Sequence, residues 1–167
     1  RGEVFDVSGN PLVTNRQGYD IIFKYAEFPS YKDQPARNEL ILKLITLFEE
    51  NDAEWLDRLP IQYDKKGKLV VDKEKSAEFS YMVSENMLEL EKGEKSTPDE
   101  CLDALIERYG LQSYDRPTAR KIASVCFGMK YSGFSVPISY TFAEDVPSKL
   151  IPVILENSEA FKGVEAE

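Results

Sequence analysis

Histidine is missing altogether from this chain of 167 residues. With it go Ser-His-Asp triads, histidine general bases and histidine–metal sites. Cysteine is nearly absent too. Cys101 and Cys126 are the only two, too few for a cysteine-rich zinc site. No two of the nine glycines stand as Gly-x-Gly, so there is no phosphate-cradling glycine loop. Positive charge is short: 21 lysines and arginines against 30 aspartates and glutamates leave a net −9 and a pI near 4.7. A nucleic-acid surface needs a basic stripe, and this balance argues against one. Long apolar runs are also lacking. The longest stretch free of Asp, Glu, Lys and Arg is Tyr131–Ala143; it contains Pro137 and falls short of the roughly 20 residues that span a bilayer. No signal peptide is visible. Because the first residue is Arg1 rather than Met, the chain is expected to start inside a longer gene product, with room for an upstream anchor.

What is present reads as one soluble domain. Hydrophobic residues make up 42% and charged residues 31%, a globular balance rather than a disordered one. The N-terminal part looks like strands. Arg1–Asp6, the turn cluster Ser8-Gly9-Asn10-Pro11 and then Leu12-Val13-Thr14 suggest a short hairpin. Tyr19–Tyr25 alternates, with Tyr19, Ile21, Phe23 and Tyr25 on one side, as a half-buried strand does.

The middle reads as helices. Within Ala36–Glu50, the residues Leu40, Ile41, Leu44, Ile45 and Phe48 form one apolar face. Phe79, Met82, Val83, Met87 and Leu90 make a second helical stripe. Thr97-Pro98-Asp99-Glu100 is a helix start with a Thr cap, Pro at the first position and Glu three after the cap; Gly110 stops that helix. Arg116-Pro117 opens another, with Ile122, Val125, Cys126 and Met129 on its face. Then Val136, Ile138, Tyr140 and Phe142 alternate as a strand over Ser135–Ala143. Pro147–Asn157 reads as a short helix and Gly163–Ala166 as a last strand. The expected fold is α+β: a small β-sheet built from N- and C-terminal strands, in parts 1–32 and 131–167, with a large helical insertion over 33–130 between them. Tyr19–Tyr25, Ser135–Ala143 and Gly163–Ala166 are expected to share one sheet, covered by the Pro147–Asn157 helix through Leu150, Ile151, Ile154 and Leu155.

No catalytic constellation emerges, and no catalytic, cofactor or metal residue is assigned. Glu49, Glu50, Asp52, Glu54 and Asp57 form an acidic cluster, but their spacing is not that of a calcium loop; they read as a solvated helix end. Lys65, Lys66 and Lys68 read as a charged hairpin tip. Cys101 and Cys126 fall on apolar helix faces, as buried unbonded thiols do. Ser84-Glu85-Asn86 fits the Ser-x-Asn element of penicillin-recognising enzymes, on the polar side of an expected helix. Its companions are missing, since no serine is followed three residues later by lysine and no Lys-Thr-Gly occurs.

The two ends of the chain carry a more specific pattern. The run Arg1-Gly2-Glu3-Val4-Phe5-Asp6-Val7-Ser8-Gly9, followed by Leu12 and later by Asn15 and Tyr19, resembles the N-terminal motif of class B penicillin-binding proteins. That motif reads Arg-Gly-x-Ile-x-Asp-Arg-Asn-Gly and follows the membrane anchor. Pro137-Ile138-Ser139 through Ala143-Glu144-Asp145-Val146 resembles the family's later strand and its turn into a helix. Glu156-Asn157 and Gly163-Val164-Glu165 resemble the Glu-Asn…Pro-Gly-Val run before the transpeptidase, with Lys162 where the family has Pro.

The resemblance implies the non-catalytic pedestal, or dimerisation, region of a peptidoglycan D,D-transpeptidase on the extracytoplasmic face of the bacterial membrane. Its implied partners are the membrane-embedded glycan polymerase, other morphogenesis proteins and a second copy of itself. Neither a cofactor nor nucleic acid is expected, and no membrane span lies within the chain. Arg1, Gly2, Asp6 and Gly9 at one end, and Glu156, Asn157, Gly163 and Val164 at the other, carry structural roles in this reading. A free-standing extracytoplasmic binding module with a similar sheet is the alternative.

Overall fold

The computed structural model describes residues 18–167 and, before them, the backbone of two short strands, β1 (Val4–Phe5) and β2 (Pro11–Val13). These two pair antiparallel as a hairpin. After them come β3 (Tyr19–Phe23), α1 (Gln34–Glu50), β4 (Ile61–Tyr63), β5 (Leu69–Val71), α2 (Ser76–Val83), α3 (Pro98–Tyr109), α4 (Arg116–Ser132), β6 (Tyr140–Val146), α5 (Leu150–Glu156) and β7 (Val164–Ala166).

The principal sheet has the order β6-β3-β7, with β3 antiparallel to both neighbours. The fold is thus α+β, with an N-terminal strand held between two C-terminal ones and the helices inserted between them in sequence. Within β3, Tyr19 and Asp20 are both half-buried and Ile21, Ile22 and Phe23 are all buried, so burial does not alternate along this central strand. Phe23 lies across from both Tyr140 and Val164. The stretch 33–130 also contains a small antiparallel sheet, β4–β5, whose tip carries Lys65, Lys66 and Lys68. Asp64 Oδ1 organises that tip by accepting the amides of Lys66 and Lys68, each at 2.9 Å.

Three elements differ from the sequence expectation. The strand expected from Ser135 begins only at Tyr140. Ser135 and Ile138 instead close a tight turn by mutual backbone hydrogen bonds of 3.1 and 3.0 Å, which leaves Val136 and Ile138 exposed. The strand then runs on through Glu144 and Asp145. Its ladder with β3 slips twice, placing one extra residue of β6 between Ala143 and Val146 and another between Thr141 and Ala143. Such bulges break the period of two, so Phe142 and Ala143, although adjacent, are both buried.

The second difference is in α2, which stops at Val83 rather than carrying the stripe on to Leu90. Ser84 Oγ donates to the Tyr81 carbonyl at 2.7 Å and accepts the Asn86 amide at 3.2 Å. These are local bonds that compete with helix. Met87 is still buried, delivered by a turn rather than by helical periodicity. Ser84-Glu85-Asn86 therefore sits in that turn and not on a helix face. Third, α5 begins late, at Leu150, with Pro152 in its first turn, where no amide donor is needed. Leu150, Ile151 and Ile154 enter the core, while Leu155 points outward.

At the centre lies α4, which touches α1, α2, α3 and β6. It is buried from Ala119 to Met129, apart from the partly covered Lys121, rather than along one stripe. Thr97 caps α3 as the sequence suggests, and Asp115, which the sequence reading did not single out, caps α4 by accepting the Thr118 amide. Thr97 and Glu100 form a reciprocal capping box, and Gly110 ends α3 in the left-handed region.

Candidate functional site

The described residues nearest the two ends of the chain meet in the principal sheet. Val164 pairs with Phe23 in the β3–β7 ladder and is buried. The ladder is prolonged by Asp20 and Glu167, whose backbones exchange two hydrogen bonds of 2.9 Å. Gly163 precedes β7 at φ 78°, and its carbonyl accepts the Lys24 amide at 2.8 Å. A β-carbon on Gly163 would stand 2.6 Å from the Phe28 α-carbon. Only glycine allows the two backbones to meet so closely.

Asn157 closes α5. Its amide donates to the Ile154 carbonyl, its side chain donates to the Val153 carbonyl at 2.8 Å, and its own carbonyl accepts the amides of Ala160 and Phe161 at 3.0 Å. Glu156, beside it, is exposed. Of the N-terminal motif, Arg1, Gly2, Asp6 and Gly9 lie outside the described residues.

From Gly163 the contacts run inward through aromatic rings. Phe28 stacks on Phe23 at 4.5 Å between centroids, and Phe23 lies 5.6 Å from Phe142. Phe142 meets Phe48 of α1 edge-on at 5.1 Å and Trp55 face-on at 6.0 Å. The Leu56 amide donates to the Phe142 carbonyl at 2.8 Å, covering the outer edge of β6, which otherwise offers unpaired groups to another chain.

A polar brace, invisible to the sequence reading, fixes the helices to this framework. Arg120, on α4, is buried. Its Nε and Nη2 donate to the Ile61 carbonyl at 2.9 and 2.6 Å, and its Nη1 donates to Asp57. Ser124 Oγ donates to the other Asp57 oxygen at 2.6 Å. Partial burial pushes the Asp57 carboxyl up, but its hydrogen bonds and charge pairing with Arg120, together with the Ser124 bond, outweigh this and hold it below its ordinary value. Glu49 accepts from Lys121 at 2.7 Å and from Trp55 Nε1 at 3.3 Å. All five members of the acidic cluster are exposed, as in a solvated helix end, and two of them also pair with α4: Glu49 with Lys121 and Asp57 with Arg120. The sequence signal for the brace is slight: an arginine and a serine four apart, on the same face of a helix whose middle is mostly apolar.

Cys101 and Cys126 are buried and unbonded. Burial pushes both thiols up to about 12, the Glu100 charge adding to it at Cys101. Ser84 Oγ is engaged locally, as described above. Among the described residues no three of the metal-ligating types come together, and no helix is long and apolar enough to cross a membrane. What the geometry supports is a mechanical linkage: the strand that follows the N-terminal hairpin is clamped between the two strands that lead to the C-terminus.

The family described as penicillin-binding protein dimerisation domain matches residues 1–167, the whole chain. The chain belongs to that family. No curated protein matches it. As a penicillin-binding protein dimerisation domain, the chain is a non-catalytic unit. The resemblance at its two ends and the sheet that joins them are thus features of one family, spanning also the central helices that the sequence motifs left unassigned.

Proposed function

We propose that this dimerisation domain is the pedestal of a membrane-anchored class B penicillin-binding protein, standing on the extracytoplasmic face of the bacterial membrane. In this reading it holds a downstream D,D-transpeptidase at a set position and offers its surface to the glycan polymerase, other morphogenesis proteins or a second copy. The observation that carries the reading is the β6-β3-β7 order. An antiparallel ladder with β3 in the middle passes load directly between the residues after the N-terminal hairpin and the residues at Val164–Ala166. Five helices buttress it through one continuous core that includes Phe23, Phe48, Phe127 and Ile154. N-terminal Arg1, Gly2, Asp6 and Gly9 are proposed to shape the way in, and Asn157, Gly163 and Val164 the way out.

The test separates chemistry from positioning. The chain by itself should take no covalent label from a fluorescent penicillin on denaturing electrophoresis; a stoichiometric band would overturn the non-catalytic assignment. In the parent protein, Phe23→Asp should leave penicillin acylation by the catalytic domain intact, yet abolish rescue of a strain depleted of the wild-type protein. Full rescue by a variant whose pedestal is shown to be unfolded would refute the positioning role.

A further inference from the structure

A cavity of about 490 Å³ lies where the end of α1, the segment 53–57, β4 and the first half of α4 converge. Small-molecule sites have this size, roughly 300–1,000 Å³. Trp55, the only tryptophan of the chain, lines it together with Tyr63. Two contacts fix the indole. Phe142 stacks on it at 6.0 Å with an interplanar angle of 9°, and its Nε1 donates to Glu49 Oε2 at 3.3 Å. Trp55 and Tyr63 are both only partly covered, so two rings meet solvent in one hollow.

The polar groups of the cavity fall into two sets. Glu49 and Lys121 are engaged with each other at 2.7 Å, and Asp57 with Arg120. Their charges cancel in pairs. Glu54 and Gln62 make up the second set. Both are exposed, and neither side chain hydrogen-bonds to another described residue.

This combination selects a chemical class. A nucleotide also stacks on aromatic rings, but its phosphates would meet three carboxylates, on a chain of net −9. An organic cation is drawn to aromatic faces, but here it would meet Lys121, Arg120 and acids that those two already neutralise. A purely apolar ligand would strip water from the paired charges and return no hydrogen bond. A neutral pyranose sugar meets both demands. One of its faces is made of C–H groups that pack on the rings, and its rim of hydroxyls can donate to Glu54 and exchange hydrogen bonds with the Gln62 amide. An indole already fixed in its plane lowers the ordering cost of that contact.

We propose that this cavity binds a neutral pyranose unit of a glycan chain, with Trp55 as the stacking surface, Tyr63 as a second wall, and Glu54 and Gln62 as the partners of the hydroxyls. Which glycan this is rests on the pedestal reading above: there, the sugar is an N-acetylated hexosamine of the cell wall.

Because Trp55 is the only tryptophan, its fluorescence reports on this cavity and nowhere else. Titration with chitotetraose should shift the emission to shorter wavelength and saturate with a Kd of about 1 mM or below, and calorimetry should agree. Glu54→Ala together with Gln62→Ala, both at exposed positions, should weaken binding about tenfold with an unchanged circular dichroism spectrum. Trp55→Leu, followed by calorimetry, should weaken it at least as much. A flat response by both methods, indifference to the Glu54/Gln62 double change, or tighter binding of tetramethylammonium or uridine monophosphate would overturn the site. Cellotetraose, which lacks the acetamido groups, separates the glycans. It should bind more weakly than chitotetraose, and equal or tighter binding would overturn the cell-wall assignment. None of these titrations depends on the rescue experiment with Phe23→Asp, so failure of the site and failure of the pedestal reading are read out separately.

Discussion

The hydroxyl of Tyr140 occupies the space that a β-carbon on Gly128 would fill. This is where α4 rests on β6. Tyr140 is 1% exposed, and its Oη has no hydrogen-bond partner among the described residues. The Arg58 guanidinium lies over its ring at 5.8 Å, and burial pushes the phenol up to about 12. The absence of a side chain at one helical position thus sets how closely the central helix approaches the sheet.

Gly128→Ala should therefore destabilise the domain by about 1–3 kcal/mol through overpacking, although alanine is the better helix former. Tyr140→Phe should be close to neutral, because the hydroxyl it removes is buried and unpaired. The double variant should recover part of the loss, with a coupling of at least about 0.5 kcal/mol in urea unfolding. Strict additivity would show that the two residues do not interact.

Gly163 and Gly110 separate strain from collision. Both have positive φ, 78° and 64°, but a β-carbon on Gly110 meets open space whereas one on Gly163 meets the Phe28 backbone. Gly110→Ala should cost about 1 kcal/mol, the left-handed penalty alone. Gly163→Ala should cost roughly 3 kcal/mol or more, and β7 amides should exchange faster. Equal costs for the two would refute the close approach.

The Asp57 brace predicts an acid limb. Its carboxyl titrates lower in the folded state than in the unfolded chain, so its contribution is complete above the ordinary carboxylate pKa of about 4 and is lost as pH falls below that. Glu100 and Asp115, which cap helices, are depressed as well and titrate in the same window. Asp57→Asn should accordingly lower stability at pH 7 and make the loss between about pH 4 and pH 2 shallower without abolishing it. Arg120→Met, which strips the Ile61 carbonyl and Asp57 of their donor, should cost roughly 2–3 kcal/mol at neutral pH. An unchanged acid limb in Asp57→Asn would remove the brace from the account.

Cys101 and Cys126 should react slowly with a thiol reagent in the folded protein, because burial disfavours both thiolates. Unfolding without reductant should release two thiols. Fewer than two would reveal a disulfide or an oxidised form.

Local signals are legible in the sequence itself. Thr97-Pro98-Asp99-Glu100 gave its helix start because a cap is satisfied within four residues. The stripe Leu40–Phe48 marked its buried face because helical period and burial coincide on a helix with one covered side. The joining of the strand at Tyr19 to those near Tyr140 and Val164 was also readable, since each apolar stripe required a partner. What the chain alone determined, then, was the identity of most elements, the α+β class and the motifs at both ends. Tertiary structure decided the rest. The bulges in β6 put Phe142 and Ala143 on the same side of burial, which no period of two expresses. Ser84 ended α2 by spending its hydroxyl on neighbouring backbone. The pairing of Arg120 with Asp57, the fit of Tyr140 to Gly128 and the meeting of Trp55 with Lys121 in one cavity each join residues far apart in sequence. Local pattern holds no record of such distances; only the packing of α4 against everything around it brings those residues together.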